Sequence, residues 1–290
     1  MRSAPSLLKE CEAPDQTHWE TQLALSGGEL QMFEFLRTEH GTPLGLKITN
    51  ADTGVMISEN EWPYAFGASI QRSGVEHIYG SRGDANGAYH VGHGTWDGIT
   101  FTHVGEVYTE LVPGRVVFNL AGSDSPHGAR LVLEKKDVAN GDVHLHALRS
   151  DDPDLNEWNS YGSPILPGLF KGCPDLLWSG SLEKFLMPYM GQNTFHGPVP
   201  QHDIRLAWLP PDFSSCHISD SWAAGFVLIS SHDFEHEMTS AADPSLCVRG
   251  NTVEMVYSIG DQVQPSLGGT FKRKRALYPG TLEQLYSQFF

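Results

Sequence analysis

The chain has 290 residues, of which 35 are acidic and 19 basic, giving a net charge of -16; on average it repels phosphate backbones and anionic bilayers, so neither nucleic acid nor a membrane is expected as a partner. With 40% hydrophobic and 19% charged residues the balance is that of a globular protein with large buried faces, which excludes a disordered chain. No run approaches the ~18 apolar residues of a membrane span, and Lys9, Glu10 and Glu12 break the start of the chain where a signal peptide needs ~7 uninterrupted apolar residues, so the expected location is cytoplasmic.

In chain order, the first patterned segment is Leu44-Gly45-Leu46-Lys47-Ile48-Thr49, followed by Asp52 and Gly54. The same plan returns more strongly at Ala88 to Thr95, followed by Trp96-Asp97-Gly98 and Phe101. It returns again at Val143 to Ser150, followed by Asp151-Asp152-Pro153 and Trp158, and more weakly at Asp203 to Trp208. Each copy reads as an alternating strand, a polar turn, an aromatic plug and a glycine-led exit. The strong copies stand roughly 55 residues apart, a propeller-blade period. Between them, Arg115 to Leu120 and Gly225 to Ile229 are apolar runs suited to strands buried on both faces.

Helical pattern is confined to the end, where Thr281 and Gln284 form a capping-box pair opening Leu282 to Phe290. The basic run Lys272 to Arg275 reads as a solvated strand end. The expected fold is therefore all-β, a five-bladed propeller with a short C-terminal helix, formed by residues 1–290 as one domain. A β-sandwich with chance similarity between hairpins is the alternative.

At these echoes the chain resembles the invertase, fructosidase and arabinanase-like five-bladed propellers. His93-Gly94-Thr95-Trp96-Asp97-Gly98-Ile99-Thr100-Phe101 is similar to their S-x-DGI-x-W blade turn, and Asp203 to Leu209 to their IGLA-x-L strand. Phe185 to Asn193 is similar to KY-x-MYY-x-G. Gly172-Cys173-Pro174-Asp175-Leu176-Leu177-Trp178 resembles the ECPDLF motif that carries the general acid, with Gly172 at the position of the glutamate. The NDPNG nucleophile motif is missing. The resemblance implies a glycosidase-like scaffold with degenerate catalytic acids, because glycoside hydrolysis ordinarily requires two carboxyl groups flanking the bond.

A propeller places ligands in its central funnel. The expected catalytic residues are Asp175, Tyr64, His93 and Tyr189, and the expected substrate-binding residues are Trp62, Phe66, His90, Gln192 and His196. Trp62, Tyr64 and Phe66 alternate in sequence, which puts three aromatics on one strand face, either as a stacking wall or as a core stripe between blades. His90 and His93 supply imidazoles that titrate near neutral pH. Being three apart on a strand they face opposite ways, so no metal site is expected. The chain has no GxSxG, HExxH, GxxxxGK[ST] or strand-to-helix GxGxxG pattern, and no cofactor is expected.

Three functions fit a small-molecule substrate. The first is a non-hydrolytic biosynthetic enzyme promoting cyclisation, cycloaddition or dehydration of a largely apolar substrate in the funnel. The second is a glycoside hydrolase with relocated carboxylates, and the third a non-catalytic sugar or small-molecule binder.

Overall fold

The computed structural model describes residues 9–11, 20–38, 42–163, 170–193, 201–219, 227–229, 240–260 and 272–290. Three four-stranded antiparallel sheets follow one another in sequence. The first holds β2 (Thr21–Ser26), β3 (Glu29–Arg37), β4 (Pro43–Asn50) and β5 (Met56–Asn60); β1 (Lys9–Cys11) belongs elsewhere. The second holds β6 (Ala65–Arg72), β7 (Val75–Gly83), β8 (Tyr89–Trp96) and β9 (Phe101–Glu110). The third holds β10 (Arg115–Ser123), β11 (Ala129–Asp137), β12 (Val143–Ser150) and β13 (Asn159–Gly162).

The remaining strands form two further blades. One comprises β14 (Phe170–Gly172), β15 (Leu177–Ser179), β16 (Lys184–Asn193), β17 (Gln201–Leu209) and β18 (His217–Ile218). The other comprises β19 (Ser240–Arg249), β20 (Thr252–Gly260) and β21 (Lys272–Tyr278). Among the described residues, a single parallel pairing, His202 with Ser240, links them into one hydrogen-bonded sheet. The fifth blade takes its outer strand from the other end of the chain, since β1 pairs antiparallel with β21. The fold is thus a five-bladed propeller. Its innermost strands neighbour one another in turn, β19 beside β2, β2 beside β6, β6 beside β10, and β10 beside β15, and β19 also lies beside β16 of the fourth blade.

Alternation along the strands explains this arrangement. Each blade buries both faces, and the buried apolar residues fall into five clusters, one for each blade-to-blade interface. On β3, Met32 faces the fifth blade while Phe33 and Phe35 face the second. On β11, Leu131 and Leu133 pack towards the second blade and Val132 towards the fourth. A period of two therefore serves two neighbours at once.

The sequence echoes are the same structural position repeated: Leu44, Ala88, Val143 and Asp203 each mark the third strand of a blade and the turn leaving it. The capping box is present as read, Thr281 Oγ1 accepting from Gln284 N and Gln284 Oε1 from Thr281 N, and it opens α1 (Leu282–Tyr286), shorter than the expected 282–290. The reading of Lys272 to Arg275 as a solvated end is corrected. Arg273 and Arg275 are buried between strands, Arg273 ion-paired with Glu34 and Arg275 with Glu254 and Asp52. Their charges are tolerated there because each meets a carboxylate.

Candidate active site

The first residues of the inner strands meet at one end of the central channel, and three carboxyl groups meet with them. Glu20 immediately precedes β2. Its Oε1 accepts from Arg37 Nη2 at 3.1 Å, while its Oε2 is buried with no hydrogen-bond partner among the described residues. Glu134 reaches in from β11, and its Oε2 accepts from Asn119 Nδ2 of β10 at 3.0 Å and from the Cys173 backbone N at 2.7 Å. Asp243, on β19 in a left-handed backbone turn, is hydrogen-bonded to the Cys173 thiol and to Ser258. Glu20, Asn119, Cys173 and Asp243 line a cavity of about 20 Å3, room for one water-sized oxygen. Beside it, Phe66 meets Phe118 edge-on at 5.5 Å and carries the Arg37 guanidinium over its ring at 4.5 Å.

Burial sets the protonation of this cluster, because a charged carboxylate loses hydration that the protein replaces only in part. Burial pushes Glu20 from 4.5 to about 8; Arg37 opposes the rise, and the negative neighbours Asp243 and Glu134 add to it. Burial lifts Glu134 to about 7 against the two donors it accepts from. Asp243 is also raised by burial, and the Cys173 thiol is held well above its ordinary range. At neutral pH the cluster therefore holds protons that exposed carboxyl groups have already lost.

Gly172 explains how Glu134 comes to be there. Gly172 has φ +143°, and a Cβ at this position would lie 2.9 Å from Glu134 Oε1. A side chain at 172 would require the Glu134 carboxyl to shift from where it lies. The glycine at the motif's acid position thus leaves a volume that a carboxyl from the neighbouring strand fills.

The residues expected from sequence are dispersed by the fold. Trp62 and Tyr64 are buried between the first and second blades, ring centroids 4.8 Å apart. Tyr64 Oη reaches Glu106 at 3.4 Å. They do not share a face with Phe66, and the expectation of a three-aromatic stripe is corrected. Phe66 has φ +53° at a bulge between Ala65 and Ala68, which turns its ring away towards the carboxyl cluster.

His93 is buried at the second-to-third blade interface. It bonds His77 at 3.0 Å and Asn156 at 2.9 Å and stacks on Tyr79, and burial with the neighbouring His77 lowers it to about 4. His90, on the opposite face of β8, meets Glu106, Thr109 and Asp84. Tyr189 and Gln192 lie on β16, the second strand of their blade and not its innermost. Tyr189 is packed between the third and fourth blades, and Gln192 is half-buried with its backbone oxygen accepting from Arg205. Asp175 lines the channel's opposite end, where Oδ2 accepts from Leu246 N at 2.7 Å. His196 lies outside the described residues.

Among the described residues of this set, the structure brings Phe66 alone to the carboxyl cluster. Glu20, Glu134, Asp243 and Arg37 were not singled out from sequence. The available signal was a lone acid at the end of an apolar run, as in Leu131-Val132-Leu133-Glu134, since a strand buried on both faces has no solvent for it.

No family model matches the chain, and no curated protein matches it. Among solved structures it is similar to a thermostable family-43 glycoside hydrolase, with 10% identity, a TM-score of 0.65 and coverage of 92% of this chain and 89% of the other. It is also similar to the catalytic domain of the Coprinopsis cinerea GH62 alpha-L-arabinofuranosidase, with 9% identity, a TM-score of 0.66 and coverage of 95% and 98%. A third similar structure is the sucrose-6-phosphate hydrolase from Lactobacillus gasseri, with 11% identity, a TM-score of 0.59 and coverage of 90% of this chain and 61% of that one. The fold is a glycoside-hydrolase-like propeller, as the motifs implied.

Proposed function

We propose that the protein cleaves carbon–oxygen bonds of a small, hydroxyl-rich substrate by carboxyl acid–base chemistry, as a glycoside hydrolase whose catalytic carboxyl groups have moved. The observation that supports this is the buried meeting of Glu20, Glu134 and Asp243 where the inner strands begin. Glu20 is the acid: it holds a proton at neutral pH, and its Oε2 has no acceptor among the described residues. Glu134 is the base: two N–H donors on its Oε2 favour its ionised form relative to Glu20. As the bond breaks, the Glu20 proton passes to the leaving oxygen. A water adds its oxygen to the carbon, and Glu134 takes the proton that water gives up.

A second reading, loss of water from the substrate followed by ring closure, is favoured by the Phe66 and Phe118 rings beside the cluster and by the glycine at the family's acid position. In it the Glu20 proton leaves with a substrate hydroxyl as water, and Glu134 takes the proton from the adjacent carbon as the double bond forms. The ring then closes at that double bond with no water added. Assay against methyl glycosides of arabinose, xylose and fructose, whose alkoxide leaving group needs a proton, in 18O-labelled water separates the two. Hydrolysis puts label into the released sugar; an unlabelled dehydrated product from a hydroxylated substrate supports the second reading. Glu20→Gln and Glu134→Gln each lower turnover by about 100-fold or more in either case. Turnover unchanged in both variants overturns the assignment of the site.

A further inference from the structure

We propose that the opposite end of the channel, where the inner strands finish, is a separate binding site for a small molecule carrying a primary ammonium group. The cavity there measures about 300 Å3, at the lower limit of small-molecule sites, and Gln22, Gln71, Glu76, Asp175, Trp178 and Cys247 contribute to its wall.

Glu76 carries the argument. It is 1% exposed, its Oε1 accepts from Gln71 Nε2 at 2.8 Å, and its Oε2 is buried with no partner among the described residues. The Gln71 amide is already shared with the Leu25 carbonyl at 2.5 Å. A buried carboxyl with an open oxygen is costly unless a donor meets it. None of the residues lining the cavity is a lysine or arginine. The nearby Arg72 is engaged by Asp124 and by the Asp152 carbonyl. Asp175 makes no such demand, since its Oδ2 is met by Leu246 N.

The chemistry of the ligand follows from the wall. With the Asp124 charge met by Arg72, Glu76 and Asp175 are the carboxyl groups of the wall without a basic partner, and they favour a cation over an anion. Glu76 has a single oxygen without a donor, which suits the point charge of an ammonium better than the two-pronged face of a guanidinium. A bare metal ion fits poorly. The cavity far exceeds an ion's volume, its wall includes Leu23, Leu25 and the Trp178 indole, and no group of three potential metal ligands occurs among the described residues.

The test uses 4-fluorobenzylamine and its neutral counterpart 4-fluorobenzyl alcohol, followed by 19F line broadening with the intact protein in physiological salt. The amine is expected to bind at least tenfold more tightly than the alcohol, to lose that advantage in Glu76→Gln, and to keep it in Glu20→Gln. Equal binding of amine and alcohol, no binding of the amine, or undiminished amine binding in Glu76→Gln overturns the proposal. The comparison of the two probes needs no variant, so a poorly folding Glu76→Gln leaves it decisive. Because Glu20 stands at the other end, an inactive Glu20→Gln that still binds the amine keeps this site distinct from the catalytic proposal.

Discussion

Asp175 and Glu134 show how a motif can point to the right segment and the wrong side chain. The Cys173-Pro174-Asp175 segment does run along the channel, as its resemblance implied. Its aspartate, however, bridges the fourth blade to β19 through Leu246 N, whereas the carboxyl at the channel's other end comes from β11. Replacing Asp175 with alanine leaves that buried N–H without an acceptor. The expected cost is about 1–3 kcal/mol of stability by urea denaturation, with the turnover of the folded protein largely retained. Sequence could locate Gly172 at an acid position but could not show which neighbouring strand fills the space it leaves, because that depends on how β11 of the third blade sits against β14 of the fourth.

At the level of the strand and blade, more was legible. The repeated third strand and its turn recur at Leu44, Ala88, Val143 and Asp203 because that strand meets the same two neighbours in every blade. The innermost strands left no such echo, since their residues face a channel whose wall differs from blade to blade. The aromatics of the second blade show how close the packing between blades is. A Cβ on Gly92 of β8 would lie 2.2 Å from the Tyr64 ring, a separation atoms cannot adopt. Gly92→Ala is therefore expected to destabilise the protein by about 1–3 kcal/mol as Tyr64 is forced off its site. A denaturation midpoint equal to that of the parent would contradict this packing. The histidines read as possible site residues obey the same logic: His93 fills a polar gap between blades with His77 and Asn156, and strand alternation puts His90 on the other face.

For the molecule as a whole, titration and closure follow from burial. The carboxyl groups of Glu20, Glu76, Glu134 and Asp175 all stand above their ordinary values, at about 8, 7, 7 and 7. Each folded group binds its proton more tightly than the unfolded chain does, so its contribution is present at low pH and is lost as pH rises through the folded value. The lowered His77 and His93 act oppositely, but only below their ordinary value of 6.5. Thermal stability is expected to fall between pH 6.5 and 8, and less steeply in Glu20→Gln. A midpoint that climbs over that interval would refute the burial of these groups.

The strand from the chain's beginning also determines how the protein answers a mechanical load. Lys9 lies opposite Leu277 in an antiparallel pair, so tension applied to the two ends opens β1 from β21 one bond after another and does not slide them together. Before it reaches that pair, the pull must lift α1, whose Leu282 and Leu285 are seated with Phe289 in the core between the fourth and fifth blades. Optical-tweezer extension should therefore show an early, low-force release of the last helix and the closing strand, with the remaining blades yielding afterwards at higher force. Tethers moved to Ser26 and Arg249, at the finishing ends of two adjacent inner strands, bypass this seam and should abolish the early event.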